Sequence, residues 1–419
     1  MSRYSDLKTF YIYANIRCPR RGLEASRLSK YFVANNLKEA SNPKKADLIV
    51  IVTCGVFAAI EEASLLTIEK SLKNKSSRIV ITGCLTKIDP NMLNAYDAIV
   101  ILPEDLGKMD LLIRAKVRYS KIGNTPIVQG IHDLYRGNIL SRSLRYVKHN
   151  INQFHEVLNR YINFGLLRGS EKIFFAKTTY KLEIAKGCLD NCSFCAIKLG
   201  MEKFHSFPEE QILKNFKIGL RSGYKSFALV AGDIGCYGID RRTSLPALLG
   251  KLFAVEGDFK ILLWDLNPRW FVKYYPELLS VLRANSSKVS KIIIPVESGS
   301  NRILRLMNRR YKIEEVEECL LDLKRTISNI NLETQIIVGF PGETYEDFQK
   351  TQEMVKALDF SKVVVFRYED RPNTRASNLP GKVSKSIVDS RIRALAKVAS
   401  TVAYHYDSLK YRRTHPLRK

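Results

Sequence analysis

Three cysteines near the middle of the chain, Cys188, Cys192 and Cys195, are spaced closely enough to serve one metal centre. The spacing C-x3-C-x2-C puts three thiols on a short loop after an apolar segment at residues 182–185. Thiolates are the usual protein ligands of iron–sulfur clusters, so this loop can hold three corners of a cubane. A structural zinc site is the alternative, but zinc takes four ligands, usually from two separated cysteine pairs. Because no second pair follows nearby, the pattern favours a cluster with one iron open to a non-protein ligand.

Three further cysteines, Cys18, Cys54 and Cys84, are far apart in sequence but occupy equivalent places in a repeated pattern. Residues 1–122 alternate apolar runs, typical of buried strands, with helical periodicity, which predicts a small parallel α/β domain. The predicted strands are 9–14, 47–53, 78–82 and 98–102, and the predicted helices are 23–37, 57–73 and 104–116. Each cysteine comes at or just after a strand end, and in parallel sheets those ends form the ligand-binding crevice. The sequence therefore predicts that the three thiols meet and hold a second cluster.

The same alternation resumes in residues 176–382. Predicted strands lie at 181–185, 227–231, 260–266, 291–296, 332–338 and 362–368. Six βα repeats indicate a partial TIM-like (βα)6 barrel, with its active site on the loops at the carboxyl ends of the strands. Cys188 follows the first of these strands, so the C-x3-C-x2-C loop is expected on the active face. The fold class is therefore α/β, with two domains of parallel strands.

Two basic segments flank the barrel. Residues 123–175 are expected to form a helical linker in which Arg and Lys alternate with aromatic residues, and residues 383–419 a basic, amphipathic C-terminal helix. The tail is rich in cations: Arg391, Arg393, Lys397, Lys410, Arg412, Arg413, Arg418 and Lys419. A basic stretch with aromatic residues can lie along nucleic acid, but either segment can equally be a helix that packs on the domains.

The overall charge narrows the class of partner. The chain has 68 Lys and Arg against 42 Asp and Glu, a net charge of +26. Such an excess favours a polyanionic partner, RNA above all, although an anionic membrane or an unspecific basic surface would give the same number. Neither a signal peptide nor an apolar run of about 18 residues is present, so no membrane span is expected. Cysteines spaced for metal rather than disulfides indicate a reducing, cytoplasmic location.

Several stretches together resemble the radical S-adenosylmethionine (SAM) methylthiotransferase family, whose members act on tRNA adenosines or a ribosomal-protein aspartate. They are the two cysteine sets and the segments Val230–Asp233, Ile294–Arg302, Met307–Tyr311 and Ile336–Thr344. The chain departs from the family around Cys18, where Arg21 stands in place of the usual Asn, and in the loop at residues 201–208. The small TRAM domain that many RNA-modifying relatives carry is not expected in this sequence.

The resemblance implies a set of cofactor contacts. Cys188, Cys192 and Cys195 would be the catalytic cluster ligands, with Phe194 at the aromatic position often seen before the last cysteine. Glycine-containing turns let the backbone approach a ligand closely. In the turn of Gly232 and Asp233, Asp233 would receive the SAM ammonium. Ser298 and Ser300 would bind the ribose or carboxylate, and the backbone of Gly339, Phe340 and Pro341 would flank the adenine.

The implied activity is transfer of a methylthio group to an unactivated C–H bond of a tRNA adenosine, within an anticodon loop. SAM and two [4Fe–4S] clusters would be the cofactors, the second on Cys18, Cys54 and Cys84. An external one-electron donor and a sulfur source would be needed, and the enzyme is expected to be a monomer. The alternative is radical sulfur insertion into a peptide, protein or small metabolite.

Overall fold

The computed structural model describes residues 7–15, 18–123, 131–134, 179–399 and 402–404. The chain divides into two compact units, residues 1–179 and 180–419. Within the described ranges, no helix is both long enough and apolar enough to cross a membrane. Most of the linker expected at 123–175, and the tail beyond residue 404 with Lys410, Arg412 and Arg413, lie outside these ranges. The domain boundaries therefore stay predictions.

The first unit is built on a parallel sheet in the order β2–β1–β3–β4–β5, with β6 beside the end of β1. Its strands are β1 Thr9–Ala14, β2 Lys38–Glu39, β3 Leu48–Thr53, β4 Arg78–Gly83, β5 Ile99–Val100 and β6 His132–Asp133. Its α-helices are Pro19–Ala34, Ala58–Leu72, Leu85–Ile88 and Met109–Leu112. The strand order reverses between β1 and β3, which is where ligands bind in open sheets of this type.

Three details of this unit differ from expectation. The first helix begins at Pro19 rather than residue 23, because proline is well suited to the first helical position. The helix expected at 104–116 is instead a 3₁₀ segment, Pro103–Lys108, followed by one turn at Met109–Leu112. The expected linker also contributes the two-residue strand β6.

The second unit contains a seven-stranded sheet whose members lie in chain order, β7–β10–β11–β12–β13–β14–β15, with β8 and β9 as a separate antiparallel pair. Its strands are β7 Thr179–Glu183, β8 Ala185–Lys186, β9 His205–Ser206, β10 Ser226–Val230, β11 Lys260–Leu263, β12 Val289–Glu297, β13 Leu332–Val338, β14 Lys362–Arg367 and β15 Val402–Tyr404. Its α-helices are Ala196–Leu199, Glu209–Arg221, Leu245–Phe253, Pro268–Lys273, Tyr275–Ala284, Asn301–Leu306, Ile313–Thr326, Tyr345–Leu358 and Lys385–Val398. The predicted α/β class and the βα-repeat unit are confirmed.

The C-terminal segment is where the prediction was wrong. The helix does not run from 383 to 419 but ends at Val398, and Val402–Tyr404 then pairs with β14 as a seventh parallel strand. A strand edge carries unpaired backbone donors and acceptors, and β15 satisfies those of β14. Arg391 was counted among the cations of the basic tail, yet only 7% of its surface is exposed. The helix is therefore part of the second unit rather than a free basic arm.

Candidate active site

The C-x3-C-x2-C loop follows β8 and is fixed by hydrogen bonds to two other segments. The Ser193 amide donates to the Met307 carbonyl at 2.9 Å, and its hydroxyl donates to the Leu306 carbonyl at 2.8 Å. The Ala376 amide donates to the Ser193 carbonyl at 2.9 Å. Cys195 then occupies the N-cap position of the helix Ala196–Leu199. The loop is thus held in shape by the protein itself.

Two glycines allow the loop to approach the next strand end. Gly187 has φ +72°, a conformation that side-chain-bearing residues rarely adopt. A Cβ on Gly232 would collide with the Gly187 carbonyl oxygen, so only glycine fits at that close crossing. Because Gly187 and Gly232 cross so closely, the residues that follow them, Cys188 and Asp233, also lie close together. Burial, and next the charge of Asp233, accordingly raise the pKa of Cys188. The predicted pair Gly232 and Asp233 therefore lies beside the cluster loop.

The Cys195 thiol lies near both other thiols of this loop, and the three are suited to a cluster. Burial raises the pKa values of Cys188 and Cys192 to about 12, and the charge of Cys195 adds to both shifts. Among the described residues, no group of three His, Cys, Asp or Glu side chains is placed to hold a metal ion. Each thiolate of a cubane binds a different iron, so cluster ligands need not converge on one point. Buried thiols lose their protons when metal binds, and this donor set fits an iron–sulfur cluster.

Asp233 presents an unused acceptor at the site. One carboxylate oxygen accepts from the Gly235 amide at 2.9 Å and the Asn267 amide at 3.3 Å. The other oxygen, Oδ2, is buried and has no hydrogen-bond partner. Burial raises the pKa of Asp233 to about 7, the Gly235 amide opposing and the charge of Asp190 adding to the shift. A buried acceptor without a partner is costly unless a ligand completes it.

A buried ion pair lies next to Cys192 and was not assigned a role from sequence. The Arg309 guanidinium pairs with the Glu297 carboxylate, and both side chains are less than one-tenth exposed. Although burial opposes it, the charges of Cys192 and Glu297 hold the pKa of Arg309 well above its usual value. Arg309 also lies 5.6 Å from the centre of the Phe194 ring. Arg309 therefore provides a permanent positive charge beside Cys192.

A second polar set holds the middle of the cluster loop. Asp190, between the first two cysteines, is buried and accepts from Arg269 Nη1 at 2.9 Å and Asn267 Nδ2 at 2.5 Å. Neither set was predicted from the sequence. Asn267 is 77 residues from Asp190, and Arg309 is 12 residues from Glu297, so no sequence motif links the partners.

The remaining predicted contacts fall on two turns of the same face. At the first, the Ser300 hydroxyl donates to Asp347 at 2.6 Å and the Ser298 hydroxyl accepts from the Ser300 amide at 3.2 Å. These hydroxyls thus shape the turn, and their contact with SAM stays a prediction. At the second, Phe340 lies edge-on to Phe194 with ring centres 6.5 Å apart. This contact joins the Gly339, Phe340 and Pro341 turn to the cluster loop.

The second cysteine set also comes together, at the carboxyl ends of β1, β3 and β4. Burial raises the pKa of Cys54 to about 12, and the charges of Cys84 and Cys18 add to the shift. Gly83 has φ +97°, and a Cβ there would collide with the Thr53 carbonyl oxygen. The Cys84 amide accordingly donates to that carbonyl at 3.1 Å. The close approach of β4 to β3 is what brings Cys84 to Cys54.

Arg21 gives this set a positive charge where the family has a neutral Asn. Its Nε donates to Cys84 Sγ at 3.2 Å, and its guanidinium pairs with Glu24. The side chain is only 8% exposed. Cys236, by contrast, is a buried core residue whose thiol donates to the Asp233 carbonyl at 3.2 Å. Burial and the charges of Asp233 and Cys188 raise its pKa, so Cys236 lies near the C-x3-C-x2-C loop.

A parallel βα unit with a three-cysteine loop and an adjacent buried carboxylate defines a radical SAM enzyme, and the comparisons agree. The Radical SAM superfamily model matches residues 182–355, and "Uncharacterized protein family UPF0004" matches residues 12–102. A probable threonylcarbamoyladenosine tRNA methylthiotransferase of Pyrococcus horikoshii is 30% identical over 93% of this chain and 84% of its own. The ribosomal protein uS12 methylthiotransferase RimO of Protochlamydia amoebophila is 27% identical over 93% and 76%.

The fold of this chain is also similar to that of solved structures. The radical SAM methyltransferase TsrM of Kitasatospora setae superposes with a TM-score of 0.57 at 12% identity, covering 89% of this chain and 75% of TsrM. The chain belongs to the radical SAM methylthiotransferase family. It is therefore an enzyme that uses SAM and a [4Fe–4S] cluster.

Proposed function

We propose that this methylthiotransferase modifies a C–H bond of a tRNA adenosine, and that the adenosine lies in an anticodon loop. The observation that carries the proposal is the 30% identity, over 93% of the chain, to a relative named for threonylcarbamoyladenosine in tRNA. The net charge of +26 suits a polyanionic acceptor. An adenosine in a loop leaves its stack more easily than one in a duplex, which favours the anticodon loop.

The proposal includes a second [4Fe–4S] cluster on Cys18, Cys54 and Cys84. Its support is the grouping of these thiols at the strand-order switch of the first unit and the short approach that Gly83 permits. When bound, the two clusters supply an electron for SAM cleavage and a site for the transferred sulfur. The protein's part is to hold both in fixed, water-poor surroundings. An external electron donor, a sulfur source and a monomeric state stay predictions.

For SAM itself, we propose contacts on the active face of the second unit. Asp233 Oδ2, which is buried without a hydrogen-bond partner, would accept from the SAM ammonium group beside the C-x3-C-x2-C loop. The turn Gly339, Phe340 and Pro341 would lie along the adenine, because Phe340 contacts Phe194 of the cluster loop. Arg309 and Asp190 would hold the loop and its charge balance without touching SAM.

The direct test is mass spectrometry of tRNA nucleosides from cells with and without the gene. We expect a methylthiolated adenosine to disappear on deletion and to return with the wild-type gene but not with Cys188→Ala. The relative that acts on ribosomal protein uS12 gives a protein acceptor as the second candidate. Unchanged tRNA nucleosides together with a lost modification on a ribosomal protein would favour that candidate.

A further inference from the structure

The C-terminal helix Lys385–Val398 lies directly against the turn at residues 339–341. Val388 and Leu395 of this helix are buried in the core of the second unit. Gly339 has φ +80°, and a Cβ at this position would collide with the side chain of Val388. The helix therefore limits which backbone conformations the turn can adopt.

A chain of buried polar contacts joins the same helix to the turn. Arg391 Nη1 donates to Glu343 Oε2 at 2.6 Å and to the Glu343 carbonyl at 3.1 Å. Glu343 Oε2 in turn accepts from the Gly339 amide at 2.8 Å. The Arg391 and Glu343 side chains are 9% and 1% exposed. Removing one partner of such a pair leaves a buried charge without its counterion, which is strongly destabilising. The pair therefore holds the Glu343 carboxylate in position against the Gly339 amide.

We propose that Arg391 is a positioning residue for SAM binding, acting through Glu343 on the backbone of Gly339. The inference rests on the proposed contact of residues 339–341 with SAM. Arg391 itself contacts Glu343 and lies 5.6 Å from the centre of the Phe348 ring. The C-terminal helix thus belongs to the SAM site, rather than to an RNA-binding tail.

Loss of Arg391 is expected to change the affinity for SAM rather than the rate of SAM cleavage. Without Arg391, Glu343 is buried without its cation, and the turn is free to leave the SAM-receiving conformation. If the competent conformation falls to about one-tenth of the population, the apparent Kd for SAM rises about tenfold. Once SAM is saturating, the rate of its cleavage is unchanged, because the cluster ligands and Asp233 are untouched.

The test uses the reconstituted holoenzyme and compares Arg391→Gln with Arg393→Gln, a control at an exposed position of the same helix. We expect Arg391→Gln to raise the Kd for SAM about tenfold. Saturated formation of 5′-deoxyadenosine should stay within about twofold, with iron content unchanged. Arg391→Lys should recover part of the affinity, and Arg393→Gln should behave as wild type. A Kd unchanged in Arg391→Gln would overturn the inference.

A double variant keeps the test valid if Arg391→Gln is poorly folded. Arg391→Gln with Glu343→Gln leaves no buried charge, so its thermal unfolding temperature should recover, while weakened bonding to Gly339 should keep the Kd above wild type. Full recovery of both would mean that the pair stabilises the fold only. Gly339→Ala separates the role of Arg391 from the proposed SAM contact of the turn: if this variant also leaves the Kd unchanged, residues 339–341 do not contact SAM and that proposed contact is at fault. If Gly339→Ala raises the Kd for SAM and Arg391→Gln does not, only the proposed role of Arg391 fails.

Discussion

Arg309 and Glu297 show how much of the site depends on single buried charges. Glu297 ends β12 with φ +69°, in the left-handed region that residues other than glycine rarely occupy. Such a conformation costs about 1–3 kcal/mol and persists only where the surroundings enforce it. Here the carboxylate is directed to Arg309, whose charge acts on Cys192. The strained backbone of Glu297 thus directs its carboxylate to Arg309, the positive charge beside Cys192.

Removing either member of this pair should destabilise the second unit. Arg309→Gln leaves the Glu297 carboxylate buried and unpaired, which costs about 3–5 kcal/mol. Thermal unfolding monitored by circular dichroism should show a clear drop for Arg309→Gln and a smaller one for the double variant with Glu297→Gln. Arg310→Gln, at an exposed neighbouring position, is the control. Equal unfolding temperatures for Arg309→Gln and wild type would show that the pair contributes nothing to stability.

Among the helices and strands, the positions of the strands could be predicted from the sequence, but the contacts between their ends could not. The strand β3 was predicted to within one residue of its observed start, because both faces of a parallel strand are buried and its sequence is an almost continuous apolar run. Arg391 was misassigned because a helical Arg looks the same in sequence whether it faces solvent or a buried Glu343. The strand β15 was missed since three residues give no periodicity to detect.

Gly83 tests whether the close approach of β3 and β4 creates the second cysteine set. Gly83→Ala places a Cβ against the Thr53 backbone at a φ of +97°. We expect Cys84 to move from Cys54, and iron to fall from about eight to about four per chain after anaerobic reconstitution. Gly107→Ala, where a Cβ meets no atom within 4 Å, is the matched control. Retention of all the iron in Gly83→Ala would show that the approach is not required.

For the whole molecule, the proposed tRNA acceptor predicts a salt-dependent interaction through the basic tail. Because residues 391–399 and 402–404 belong to the second unit, the variant that isolates the tail is truncation after Tyr404, or Lys410→Ala with Arg412→Ala and Arg413→Ala. Each lost phosphate contact should reduce the slope of log affinity against log salt by about one, similarly for all tRNAs. Filter binding at several salt concentrations measures this. An unchanged slope would exclude these cations from tRNA binding.

The two cysteine sets are proposed to have different roles: Cys188, Cys192 and Cys195 hold the cluster for SAM cleavage, and Cys18, Cys54 and Cys84 hold the cluster that carries sulfur. A comparison of three proteins tests this most directly. Wild type, a Cys18/Cys54/Cys84→Ala variant and a Cys188/Cys192/Cys195→Ala variant are reconstituted anaerobically, then assayed for iron and for 5′-deoxyadenosine formation. We expect about eight irons in wild type and about four in each variant. SAM cleavage should persist in the first variant and be abolished in the second. Only about four irons in wild type would contradict the claim, because no second cluster would then be present to carry sulfur.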